Sequence, residues 1–111
     1  MVTDKLHLYA SIERKSLVNT ARVSAERGSM DDADKATLLA REIDPNHADI
    51  YFTAGWIAAS LGETDRAGDF YMEALRLGPG DGDVMRALKA LRLQRDGLLK
   101  YGIFPGERLY H

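Results

Sequence analysis

The feature that most limits what this chain can fold into is a punctuation that returns at one interval. Gly28 and Gly62, Ala33 and Ala67, Ala40 and Ala74, and Pro45 and Pro79 are each separated by 34 residues. A fixed period of about 20–50 residues marks stacked copies of one supersecondary unit. The clearer copy, from Ala48 to Asp81, reads as two helices joined by a tight turn. Tyr51, Ala54, Gly55 and Ala58 share one helical stripe, and beyond Gly62 a second stripe runs Ala67, Tyr71, Ala74, Leu75. Small residues face large ones across this hairpin, and Gly55 lets its helices approach closely, with Ala74 facing it from the partner helix.

The order of residues in that unit is a bulky residue, a small pair, a turn glycine, then alanine, aromatic, alanine and a closing proline. It resembles the tetratricopeptide repeat. The upstream copy is degenerate: Thr37 stands where Tyr71 stands, and Ser24 and Ala58 replace an expected aromatic. Terminal repeats are commonly atypical. The resemblance covers residues 14–95 and implies an all-α fold, antiparallel helical hairpins stacked as a short right-handed solenoid. Its parts are a degenerate repeat at 14–47, the better repeat at 48–81 and a capping helix at 82–100. A helical extension at 4–13 precedes them, and an aromatic tail at 101–111 follows.

Local signals set the expected helix ends. Thr3 can cap a helix opening at Asp4, and no Gly or Pro interrupts the chain until Gly28. Gly28 suits the residue just past a helix, and Ser29 with Asp32 resembles a capping box with Asp in place of Glu. A second helix is expected over 30–43, stopped by Asp44-Pro45 because a residue before proline is pushed out of helical geometry. A third starts at His47 or Ala48 and ends before Gly62. Thr64 caps a fourth over 65–77, and Asp81 or Asp83 opens a fifth over 83–100 with a core stripe of Val84, Met85, Leu88, Leu91 and Leu98. That fifth helix cannot complete a third repeat, since the place of Ala67 falls on Tyr101 and that of Tyr71 on Pro105. The apolar residues Leu6, Leu8, Tyr9 and Ile12 of the extension, and those of the tail, have no place in the repeat register, so they are expected to dock on this chain or on another copy.

Composition narrows the function. With 111 residues, 45 % of them hydrophobic and 29 % charged, the chain suits one ordinary globular domain. No apolar run reaches membrane-spanning length and the N-terminus lacks an apolar core segment, so a cytoplasmic protein with no membrane partner is the expectation. Residues 1–85 carry 9 basic and 15 acidic groups, residues 86–111 carry 6 and 2. The basic end is read as a solvated helix face rather than as a nucleic-acid arm. There is no cysteine, no GxSxG, no phosphate-binding GK[ST] and no HExxH, and His7, His47 and His111 stand apart. Asp32-Ala33-Asp34 fails as a calcium loop, because Thr37 and Ile43 occupy the glycine and glutamate places. Gly78, Gly80 and Gly82 follow a helix, not a strand, and are read as the turn between repeats. A non-enzymatic protein without metal or cofactor is expected.

The resemblance also implies a site. In such a stack the first helix of each repeat lines a concave groove that takes a peptide or helix of a partner protein. The groove offsets fall on Lys15, Val18 and Arg22, then on Asp49, Phe52, Trp56 and Ser60, then on Asp83 and Arg86. Phe52 and Trp56 stand one turn apart, off the Tyr51-Ala54-Ala58 stripe, and form a double aromatic anchor. Relatives that clamp a terminal carboxylate place cationic and amide residues where this chain has Phe52, Thr53, Asp83 and Ala87, so an apolar peptide or helix is the better partner. Two rivals are a self-associating scaffold, because two repeats fall short of the three or so needed for independent stability, and a small cytoplasmic chaperone for a secreted or assembling subunit.

Overall fold

The computed structural model describes residues 2–96, with side chains from 8 to 96. The described residues form five helices and no strand: α1 (Val2–Glu26), α2 (Met30–Ile43), α3 (Ala48–Ser60), α4 (Thr64–Leu77) and α5 (Gly82–Arg95). The fold is all-α, as the repeat pattern requires. Residues 97–111, including Leu98 and the aromatic tail, and the Leu6 side chain lie outside the described residues.

The repeating glycines close the helices by one device used twice. Gly28 and Gly62 adopt φ of +86° and +79°, the left-handed region that favours glycine. At the first turn the amide of Gly28 donates to the carbonyl of Ala25 and that of Ser29 to Ser24. At the second, Gly62 donates to Ala59 and Glu63 to Ala58. Each is a Schellman ending, which satisfies carbonyls that a helix end would leave bare. Pro79 and Gly80 (φ +88°) make a type II turn, with the amide of Asp81 bonded to the Gly78 carbonyl at 3.2 Å.

These endings explain where the expected caps fail. The Ser29 amide is spent on α1, so the reciprocal capping box with Asp32 does not form, and the Ser29 side chain makes no capping hydrogen bond. Glu63 both closes α3 and, through its carbonyl, receives the Ala67 amide that opens α4. Thr64 is thereby the first helical residue rather than the cap. Thr3 lies inside α1, which already runs at Val2. Asp81 is a working cap, accepting from the Asp83 amide at 2.9 Å.

Each three-residue turn folds a helix back on its predecessor, so α1 packs with α2 and α3 with α4. The second hairpin meets the first through α3, which packs on both α1 and α2. Arg14, midway along α1, meets Asp49 at the start of α3, and Ala21 and Ala25, toward the end of α1, share a core cluster with Ile57, toward the end of α3. The two helices therefore run in one direction. Gln94, near the end of α5, donates to the Ala59 carbonyl near the end of α3 at 3.0 Å, which sets α5 alongside in the same sense.

Two apolar clusters form the core. The larger gathers Ala40, Ile50, Tyr51, Ala58, Ala67, Tyr71, Ala74, Val84 and Leu91. The smaller holds Ala21, Ala25, Ala33, Ala36 and Ile57. Tyr71, rather than Ala74, supplies the side chain seated on Gly55: a Cβ at that glycine would stand 2.5 Å from two of the tyrosine's ring carbons. Burial pushes the Tyr71 phenol well above its usual range. In α5, Val84 and Leu91 are buried as expected, but Met85 is 55 % exposed and the buried place farther along belongs to Gln94.

Candidate interaction surface

α3 is the central helix, with α1, α2, α4 and α5 all packed on it. Its burial pattern is the sharpest feature of the surface. Ile50, Tyr51, Thr53, Ala54, Gly55, Ile57, Ala58 and Ala59 are all buried, while Asp49 is exposed and Phe52, Trp56 and Ser60 are half-buried. Steps of three or four residues keep these last four on one side of a helix. They are the four α3 positions that the repeat register assigns to the groove.

The aromatic pair is anchored rather than projecting freely. Phe52 packs on the larger cluster, its ring 5.9 Å from that of Tyr71, and Trp56 packs on the smaller one. Each ring thus presents one side outward from a fixed seat. Val18, half-buried on the larger cluster, extends the apolar strip onto α1. Ser60 donates its hydroxyl to the Trp56 carbonyl at 2.9 Å.

Charged groups surround the strip. Lys15 and Arg22 are exposed on α1, with Arg22 donating to Asn19 at 2.6 Å. On α5, Asp83 and Arg86 are exposed and paired with each other one turn apart. Asp49 is drawn to the side by Arg14, so it serves the fold as well as the surface.

Arg14 is the residue that motif reading passed over. It is 4 % exposed and bonds Asp44 at 3.0 Å as well as Asp49, and it reaches Ser11 at 3.4 Å. His47 adds a contact to Asp44 at 3.1 Å. The cluster pins α1 to the turn between the hairpins, where the Tyr51 hydroxyl also donates to the Pro45 carbonyl at 2.7 Å. Its one sequence signal is spacing: Arg14 and Asp49 stand about one repeat apart, as do Asp34 and Arg66, which bond at 3.0 Å.

The opposite face is built on α2 and α4. Phe70 lies between the guanidinium groups of Arg41 and Arg66, 5.5 and 5.3 Å from its ring centre, and Arg41 also covers Tyr51 at 5.8 Å. The cleft there, about 260 Å³, is lined by acids and bases together and has no convergent set of one charge. Among the described residues no group of three or more His, Cys, Asp or Glu side chains is placed to hold a metal ion, and no helix is long and apolar enough to cross a membrane.

No protein-family model matches the chain, and no curated protein matches it with significance.

Proposed function

We propose that the chain is a non-enzymatic protein-binding module, a short right-handed stack of two tetratricopeptide-like repeats capped by α5, working in the cytoplasm. It takes an apolar peptide or helix of a partner protein across the face of α1, α3 and α5. The observation that carries this reading is the α3 stripe. Of the positions from 49 to 60, only those that the repeat register assigns to a groove are not fully buried, and two of them are aromatic. A rigidly seated aromatic with one open side loses little conformational freedom on binding and buries a large apolar area. Phe52, Trp56 and Val18 supply affinity in this arrangement. Lys15, Arg22, Asp49, Asp83 and Arg86 set orientation from the rim.

The test is selection of ligands from a random peptide library displayed on phage, followed by titration read through Trp56, the sole tryptophan. Truncating a buried interface aromatic costs about 2 kcal/mol or more, about thirtyfold in affinity. Trp56→Ala and Phe52→Ala should each lose at least that for the selected peptides while keeping parental helical circular dichroism. Arg22→Ala should weaken binding less, and mainly at low salt. Selected peptides that bind both aromatic variants as tightly as the parent would overturn the reading.

A further inference from the structure

The stack ends in an open groove between α4 and α5. Gly68, Asp69 and Met72 form one wall and Leu88, Leu91 and Arg92 the other, around a volume of about 440 Å³. Met72 is 57 % exposed and Leu88 half-buried. Counting back one period of 34 shows what such a groove holds elsewhere in this fold. Gly68 and Met72 correspond to Asp34 and Leu38 on α2, and Leu88 and Leu91 to Ala54 and Ile57 on α3. In that earlier position the space is filled by α4: Ala54 is 2 % exposed where Leu88 is half-buried, Asp34 receives Arg66, and Leu38, the counterpart of Met72, stays at the rim, 52 % exposed. The α4–α5 groove is therefore shaped for one more amphipathic helix laid against α5.

The same molecule carries a helix end with no partner among the described residues. α1 has 25 residues against 14 in α2, and Arg14 already meets Asp44 just past the end of α2. Residues 2–13 project beyond the hairpin by about 18 Å. On this projection Leu8, Tyr9 and Ile12 are 59 %, 63 % and 56 % exposed. A lone helix of about three turns is marginal in water unless an apolar face is covered. Arg92 and Arg95 line the groove beside Asp65 and Asp69, and Glu13 is exposed on the projection.

We infer that the occupant of the α4–α5 groove is the projecting end of α1 from a second copy of this chain. Leu8 and Ile12 of one copy fill the apolar floor at Leu88 and Leu91 of the other, with Met72 at its rim, and Glu13 lies near Arg92. The helix that the described residues do not place in this groove is supplied in trans. Reciprocal exchange closes a dimer, and exchange that does not close extends a chain of copies. The surface shares no anchor with the Phe52–Trp56 strip, so the two readings stand or fall separately.

Sedimentation of the full chain, with matched pairs of variants, tests this. The parent should carry the mass of at least two copies. The double variant Leu8→Asp, Ile12→Asp should fall to one copy, and so should Met72→Glu. All three positions are exposed, so the two hairpins should stay folded and helical circular dichroism should fall by no more than the turns of the uncovered projection. Mixing the two variants should restore a two-copy species, because each supplies the half that the other lacks. The chain has no cysteine, so a mixture of Ile12→Cys and Met72→Cys copies should give an intermolecular disulfide on oxidation. That crosslink decides the matter if a charged variant fails to fold. A parent of single-chain mass, an associated Met72→Glu variant, or efficient crosslinking of Ile12→Cys to itself alone would each overturn the inference.

Discussion

At Gly55 the absence of a side chain is what the fold uses. The Tyr71 ring occupies the space a Cβ would take, is 1 % exposed, and is held on another side by Phe52. The ring has nowhere to retreat. Gly55→Ala gains helix propensity, worth about 1 kcal/mol, but overpacks the core at a typical cost of about 1–3 kcal/mol. We expect a net loss of up to about 2 kcal/mol, read as a lower urea midpoint with the slope of the transition unchanged. An Ala variant more stable than the parent by the full helix-propensity gain would mean that Tyr71 is not seated on this glycine.

The helices of this chain are ended by backbone chemistry more than by side-chain caps. Gly28 and Gly62 repeat one hydrogen-bonded ending, and the residue after each glycine spends its amide on the helix before and its carbonyl on the helix after. That economy makes three-residue turns workable. It also makes the sign of a glycine substitution depend on place. At Gly62, φ of +79° strains any L side chain, and Gly62→Ala should lose about 1 kcal/mol. At Gly68, inside α4, an added Cβ would meet the Leu91 side chain at an ordinary 3.6 Å, and Gly68→Ala should gain up to about 1 kcal/mol. For a domain of this size each change moves the melting temperature by about 4–8 °C, in opposite directions. Two melting curves check it.

The hairpins are joined into one body by apolar packing around α3 and by the Arg14 cluster. Arg14 is buried between two carboxylates, Asp44 from the inter-hairpin turn and Asp49 from α3. Breaking a buried pair typically costs about 3–5 kcal/mol. Both carboxylates keep some access to water, so Arg14→Ala should fall near the lower end, at about 3 kcal/mol. Asp49→Asn alters the more exposed partner and should cost less than about 1 kcal/mol. Equilibrium unfolding in urea should show this difference in size. If the two substitutions cost the same, the buried guanidinium is not what ties α1 to the second hairpin.

The sequence by itself determined the number of helices, their order and most of their ends, because turn glycines, prolines and small-residue stripes act locally and their spacing is visible in one chain. It also determined which side of α3 is less deeply buried, since the register that buries Tyr51, Ala54 and Ala58 keeps Asp49, Phe52, Trp56 and Ser60 off the core stripe. Tertiary structure alone decided which atoms meet. Ser29 and Thr64 lose their capping roles because neighbouring helices compete for the same amides, a matter of turn length rather than residue type. Tyr71 rather than Ala74 fills the space at Gly55, and Phe52 and Trp56 lean on separate clusters, because such contacts depend on how closely two helices approach. Gln94 is buried and Met85 exposed because the rotation of α5 is set by its packing against α3 and α4, a long-range constraint absent from its own periodicity.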